Sequence, residues 1–408
     1  MAEKIDAAIE ELKGQMLDTL GTLCTFEAIA PESEGQGEMP KAKYLEKLCK
    51  KLGFTDITWV NSKDERVPEG ERPNLIVKLP GKSKKRLWFL SHLDVVPPGD
   101  IEAWETEPFE PVWKKSRLYG RGAIDNNQSA VATLFALKAL KDAGITPERE
   151  ICLAFVCDEE VGSEYGVKYL IKKKIFSKDD IFVVPDSGNN EGTQIEVAEK
   201  SILWLKIKIK GKQAHGSTPE KGNNAAYAAA KLAVSLRDTL YDKFDHTDML
   251  FEPPNSTFEP TKHEPNVLAV NIIPGSDVFY MDCRVLPNYK LDDVLAEIKL
   301  VMGRIEKETK VKVEFDEIQR VDAPKPTDPN HPLVKELKRA IKEVYNVDAY
   351  AAGIGGGTFA AYLRMKGIPA VCWEKVNEDV YHMPNEYARQ EDLFGDAKVF
   401  ARLMTADL

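Results

Sequence analysis

Leu87-Trp88-Phe89-Leu90-Ser91-His92-Leu93-Asp94 opens with four apolar residues that show no helical period, and Pro97-Pro98-Gly99-Asp100 closes it with a turn. A short apolar run bounded by turn residues reads as a strand buried on both faces. His92 and Asp94 then fall at its carboxyl end, the edge at which open α/β sheets carry their chemistry. Side chains two apart on extended backbone point the same way. Asp94 is therefore expected to accept a hydrogen bond from one nitrogen of the His92 ring and leave the other for a metal.

The pattern repeats outward from that strand. After Gly120-Arg121-Gly122-Ala123-Ile124-Asp125, apolar residues at Val131, Leu134, Leu137 and Leu140 make a helix that Gly144 ends. Ile151 to Val156 is a second continuous apolar strand, delivering Asp158-Glu159-Glu160, and Ile181 to Val184 is a third, delivering Asp186. Ser163 can cap a helix running to about Lys174. Before the opening strand, Ile5, Ile9, Leu12, Met16, Leu20 and Leu23 recur at helical spacing, and a second helix through Leu45, Leu48 and Leu52 is stopped by Gly53. Thr55 to Val60 and Asn74 to Leu79 read as strands around a polar loop, Ser62 to Arg72, expected to be mobile.

At Ser201 the composition changes. Leu205, Ile207 and Ile209 alternate with Lys206, Lys208 and Lys210, giving one dry and one wet face. A helix (Asn224 to Leu240), strands at Val267 to Ile273 and Val278 to Val285, a helix (Leu291 to Glu308) and a strand (Val311 to Ile318) follow, in the β-α-β-β-α-β order of the ferredoxin-like split motif. The expected fold is thus α/β: a mixed, mostly parallel sheet flanked by helices in a catalytic domain of residues 1–199 and 320–408, with a ferredoxin-like α+β domain, 200–319, inserted into it. The last part adds a glycine loop (Gly353 to Thr358), the strand Pro369 to Trp373, and Tyr381-His382-Met383-Pro384-Asn385-Glu386.

A chain of 408 residues with 43% hydrophobic content can bury a large core, and its net charge of −10 without any basic block argues against nucleic acid and anionic membranes as partners. No apolar run reaches membrane-spanning length and the amino terminus is charged, so a cytoplasmic location is the expectation. Six cysteines are scattered without Cys-x-x-Cys, and Cys152, Cys157, Cys283 and Cys372 fall in apolar runs, as reduced buried thiols do.

His92, Asp125, Glu160, Asp186 and His382 together supply two imidazoles and three carboxylates, the stock for two divalent ions that share one bridging carboxylate. Carboxylates of an extended Glu-Glu pair diverge, so Glu160 can bind metal while Glu159 faces the substrate as a general base. Zinc heads the candidate ions, and such ligands also accept cobalt and manganese.

Five stretches in order, Ser-His-Leu-Asp-Val-Val-Pro, Tyr-Gly-Arg-Gly-Ala-Ile-Asp-Asn, Cys-Asp-Glu-Glu-Val-Gly-Ser, Gln-Ala-His-Gly-Ser-Thr-Pro and His-Met-Pro-Asn-Glu, make nearly the whole chain resemble the M20 family of dinuclear zinc amidohydrolases and peptidases. The resemblance implies that one ion takes His92 and Asp186, that the other takes Glu160 and His382, and that Asp125 bridges them, with a cis peptide between Asp125 and Asn126. It implies Glu159 as the base on a shared water. It further implies that His215 polarises the substrate carbonyl from the partner subunit of a homodimer formed through the inserted domain, and that Arg284, Asn271 and the loop Gly355, Gly356, Gly357 and Thr358 hold a substrate carboxylate. The family's acylases and carboxypeptidases usually place Glu where this chain has Asp186, whereas its dipeptidases and aminopeptidases place Asp. The substrate reading is therefore a small peptide, with an N-acyl amino acid (a desuccinylase or deacetylase) or a carboxypeptidase substrate as the alternative. A non-catalytic descendant would lack a ligand or the base, and this chain has all six residues.

Overall fold

The strand Arg86–His92, buried from Leu87 onward, lies inside an eight-stranded sheet of the computed structural model, which describes residues 1–408. The order across the sheet is Asp56–Trp59, Leu75–Leu79, Glu150–Val156, Arg86–His92, Ile181–Val184, Ala370–Cys372, Gln194–Glu199 and Tyr350–Ile354. The four middle strands run parallel to one another. Asp56–Trp59 and Leu75–Leu79 on one side, and Gln194–Glu199 on the other, join antiparallel. Parallel strands buried on both faces need apolar residues at successive positions, which is why Trp88, Phe89, Leu90 and Phe155 show no alternation. The fold is mixed α/β with helices flanking the sheet.

By contact density the chain divides into two units: Met1–Val197 with Pro326–Ala351 and Thr358–Leu408, and Ala198–Lys325 with Ala352–Gly357. In the first, the helices Ala2–Leu23, Ser129–Asp142, Pro332–Tyr345 and Gln390–Met404 pack on one another. Ala2–Leu23 buries one stripe, Ile5, Ile9, Leu12, Met16, Leu20 and Leu23 with Thr19, whereas Ser129–Asp142 is apolar nearly all round and buried accordingly. A further layer, Val167, Leu170, Phe359, Ala360 and Leu363, packs against Trp88, Leu90, Cys152, Phe182 and Cys372. Gly53 and Gly144 end their helices at φ +84° and +66°, a conformation that costs glycine nothing. All six cysteines are buried and unpaired by disulfides. No helix is long and apolar enough to cross a membrane.

The second unit is a four-stranded antiparallel sheet in the order Thr257–His263, Ser276–Val285, Ser201–Lys210, Lys312–Val321. Numbering those strands along the chain gives the order 2-3-1-4, with the helices Ala225–Lys243 and Leu291–Thr309 supplying the α elements of the split motif. Leu205, Ile207 and Ile209 are buried beneath those helices, while Lys206, Lys208 and Lys210 pair with Glu264, Asp316 and Glu314.

Three expectations from the sequence need correction. The second strand of this motif is Thr257–His263 and not Val267 to Ile273. Pro260 is accommodated because the segment is an edge strand, where a missing N–H leaves no ladder bond unmade. Leu268 and Val270 are fully exposed instead, and only Ile272–Ile273 pairs, with Ala214–His215. The helix expected from Ser163 begins at Val167 after Gly166, because Ser163 adopts φ +63° in the turn that follows the Glu pair. The loop from Ser62 to Arg72 is pinned: it forms a short hairpin, and Arg72 is wholly buried against Glu38. The second unit also takes Ala352–Gly357, beyond the boundaries read from composition, and Gly353 packs there with its α-carbon against the Phe251 ring.

Candidate metal centre

Three parallel strands set the ligands in place. His92 ends Arg86–His92, Glu159 and Glu160 follow Glu150–Val156, and Asp186 follows Ile181–Val184. Asp125 comes from the turn between Gly122 and Ser129, where the Asp125–Asn126 peptide is cis. Asn126 donates through Nδ2 to the Pro185 carbonyl and to Asp186 Oδ1, the latter at 3.2 Å, tying that turn to the Asp186 strand end. His382 sits in the loop before Tyr387–Arg389.

The two oxygens of Asp125 face different imidazoles. Oδ1 lies 2.7 Å from His92 Nε2 and Oδ2 lies 2.9 Å from His382 Nε2. His92 Nε2 is also 3.2 Å from Asp186 Oδ1, and His382 Nε2 is 3.2 Å from the Glu160 carboxylate. One carboxylate thus stands between two nitrogen and oxygen sets. Ligand atoms of His92, Glu159 and Asp186 fall within 4.8 Å of one another, as do those of His92, Asp125 and Glu160.

The donor chemistry fits divalent cations. Asp94, Asp125, Glu159, Glu160 and Asp186, five carboxyls, share a buried site with two imidazoles, and burial of uncompensated acids is costly. Burial, reinforced by the Asp186 charge, pushes the Glu159 carboxyl well above its usual range. Burial and Asp125 push Glu160 up to about 7, and burial raises Asp186 to about 6. Burial opposes charge on His92, yet Asp125 and Asp186 hold its ring well above the ordinary imidazole value, and hydrogen bonds to Asp125 and Glu160 raise His382 to about 10. Excess acid held among imidazoles that cling to protons is the electrostatic imprint of a cation site.

Asp94 corrects one expectation. His92 Nδ1 lies 3.0 Å from the Asp94 main-chain oxygen and 3.6 Å from its carboxylate. The carboxylate turns the other way and accepts the main-chain N–H groups of Glu159 at 3.0 Å and Glu160 at 2.9 Å. A chain that curls from strand into the Glu pair presents those N–H groups inward, and they outcompete a ring that a main-chain carbonyl already satisfies.

Sequence reasoning missed the residues behind the ligands. Lys41 is wholly buried and donates to the Leu93 carbonyl at 2.7 Å and to Asn127 Oδ1 at 3.2 Å, and burial lowers its pKa to about 8. Arg72 pairs with Glu38 and lies 3.5 Å from Asp158, the residue that precedes the Glu pair. Arg121 and Glu386 join the Asp125 and His382 loops. For Lys41 and Arg72 an ionic residue in a helix or loop pattern was the only signal, whereas Arg121 and Glu386 stand inside the stretches Tyr-Gly-Arg-Gly-Ala-Ile-Asp-Asn and His-Met-Pro-Asn-Glu without any sign of their pairing.

The remaining candidates lie elsewhere in the chain. His215 and Asn271 meet in the second unit: Ala214–His215 pairs with Ile272–Ile273, and Gly216 N–H donates to the Asn271 carbonyl at 2.8 Å. His215 Nδ1 accepts the Ser217 N–H at 3.1 Å, which leaves Nε2 to carry the proton of the neutral ring, exposed to solvent. Arg284 in the same unit grips Asp282 through two nitrogens and donates to the Gly355 carbonyl at 2.9 Å. Gly355 and Gly356 are half-buried and Gly357 is exposed. Thr358 is buried in the first unit, its hydroxyl 3.3 Å from Cys372 Sγ.

The description peptidase family M20/M25/M40 belongs to a family model that matches residues 88–406. An uncharacterized metallohydrolase of Methanocaldococcus jannaschii is 42% identical over 398 residues, which cover 94% of this chain and 97% of the relative. A succinyl-diaminopimelate desuccinylase of Nautilia profundicola is 26% identical over 95% of this chain and 98% of its own length. Among solved structures, the aminopeptidase PepT of Bacillus cereus shares the fold with a TM-score of 0.76 at 23% identity, over 96% of this chain and 98% of that one.

Proposed function

This chain belongs to peptidase family M20/M25/M40 and is a metallohydrolase, and on that premise we propose that it cleaves a C–N amide bond in a small peptide, with Glu159 as general base beside two divalent ions, zinc foremost. The observation that carries the reading is the placement of Asp125 between His92 and His382, one oxygen to each. Asp125 would be the shared ligand, His92 and Asp186 would complete one position, and Glu160 and His382 the other. Divalent cations bound there supply Lewis-acid activation of water and of the scissile carbonyl.

The protein's own groups do the rest. Glu159, whose carboxyl burial pushes well above its usual range, takes the proton of the attacking water and returns it to the leaving nitrogen. Asp94 aims the Glu pair. In a homodimer formed through the second unit, His215 presents Nε2–H to the oxygen of the carbonyl under attack at the neighbouring chain's centre. Arg284, Asn271, Gly355, Gly356, Gly357 and Thr358 are each proposed as contacts of a substrate carboxylate, a role supported for Arg284 and Gly355 by the hydrogen bond between them. Asp186 in place of Glu supports a substrate with a free amino group.

A second reading, deacylation of an N-acyl amino acid, is favoured by the near full-length similarity to a succinyl-diaminopimelate desuccinylase. The metal-loaded protein, assayed against dipeptides with free amino termini and against N-acetyl and N-succinyl amino acids, separates the two. Dipeptide turnover is expected to dominate. Much faster turnover of N-succinyl substrates would overturn the dipeptidase reading and leave the metal chemistry standing.

A further inference from the structure

Asp125 and His382 both stand on irregular backbone. Asp125 has non-helical angles within its turn, and both His382 and Asn385 adopt positive φ, +59° and +62°. The His382 side chain is 51% exposed, so core packing does not set its position. Besides the His382–Asp125 contact, a buried ion pair joins the two loops. Arg121 NH1 donates to Glu386 Oε2 at 2.6 Å, with both side chains 1% exposed or less. The same Oε2 accepts Gly122 N–H at 3.1 Å, while Oε1 accepts Ile124 N–H at 3.0 Å and Asp125 N–H at 3.3 Å. Arg121 NH2 reaches back to the His382 carbonyl at 3.2 Å, and Gly120 N–H donates to the Glu386 carbonyl at 3.0 Å.

We propose that Arg121 and Glu386 are positioning residues, a clasp that fixes the spacing of Asp125 and His382 and thereby sets the affinity of the position shared by Glu160, His382 and Asp125. The proposal rests on the metal reading given above. Every one of the clasp's contacts to the Asp125 turn is an N–H donated to the Glu386 carboxylate, so both oxygens must accept. An amide in its place would turn an NH2 group toward Arg121 and Gly122, or toward Ile124 and Asp125, and one half of the clasp would repel. Lysine at position 121 keeps the charge but cannot bond Glu386 and the His382 carbonyl with the two arms of one planar fork.

Two measurements on the full-length protein test it. Zinc titration against a chelating indicator is expected to find two sites in the wild type. Glu386→Gln and Arg121→Lys should each keep one and weaken the other by about 10–100-fold, the usual effect of removing a partner behind a ligand. Hydrogen exchange of the metal-free protein should show slow amides in the 120–128 segment that become fast in Glu386→Gln and stay slow in Arg121→Lys, which also carries the affinity test should the former not fold. Unchanged affinity, or equal weakening at both positions, overturns the proposal. Exchange in Glu386→Gln at the wild-type rate overturns the clasp alone, whereas fewer than two ions on the wild type overturns the metal reading and the claim on affinity with it.

Discussion

The Asp94 carboxylate accepts the Glu160 main-chain N–H through Oδ2 at 2.9 Å while Oδ1 takes the Glu159 N–H at 3.0 Å, so a single buried acid aims both members of the Glu pair. Asp94→Asn would set an NH2 group against one of those N–H groups and rotate the pair. Turnover is expected to fall by roughly 10–100-fold with zinc affinity reduced alongside it, as for other groups behind metal ligands. Steady-state kinetics with metal titration checks this. Wild-type kinetics in Asp94→Asn would mean that the Glu pair is aimed by something else.

The His215 tautomer leads to a test of the dimer. With Nδ1 accepting from Ser217, the exposed Nε2–H is a donor in need of an acceptor. If that acceptor belongs to the neighbouring chain's substrate, Glu159→Ala and His215→Ala proteins should each be nearly inactive. Mixing them should restore activity, because one centre of each mixed dimer then has both groups intact. Mixed dimers shown to form without regaining activity would exclude the role across the interface.

Asp396, in the helix Gln390–Met404, gives a stability test away from the centre. Burial, reinforced by the Asp392 charge, pushes its carboxyl up to about 8. The Tyr345 hydroxyl lies 3.1 Å from the Asp392 carbonyl and 2.8 Å from Asp396 Oδ1. Its one hydrogen can go to the carbonyl while a protonated Asp396 donates to it. The native state then keeps a proton that the unfolded chain gives up near its ordinary value of 3.8. Stability from this group is full below that pH and is lost as pH rises to about 8. Asn can make the same bonds without charge. Asp396→Asn is expected to melt about 2–4 °C above the wild type at pH 8.5 and level with it near pH 4, at roughly 2–4 °C per kcal/mol. A variant that melts lower at pH 8.5 would show Asp396 to be charged and paired.

Much of the centre was readable because its residues sit at the ends of strands whose apolar runs are unambiguous: His92 closes one, and Glu160 and Asp186 follow two others. The residues that aim them were not readable, for a physical reason. Asp94 acts on N–H groups more than sixty residues away, and Glu386 acts on Gly122, Ile124 and Asp125. Main-chain donors are the same at every position and leave no mark in a sequence. The second unit was readable in its element order but not in its second strand. Pro260 hid an edge strand, and the apolar residues Leu268 and Val270, which should have marked one, stand in solvent. Arg72 looked like part of a polar loop because its partner Glu38 lies on the other side of a helix in the chain.

The central claim is a division of labour between adjacent acids, Glu160 holding metal and Glu159 moving protons, although both stand within reach of His92. Metal content and turnover of Glu159→Ala and Glu160→Ala measure it directly. Glu159→Ala is expected to keep two ions per chain while losing turnover by at least about 10²–10⁴-fold, the contribution of a general base, and Glu160→Ala to lose one ion. An ion missing from Glu159→Ala, with Glu160→Ala fully loaded, would contradict it.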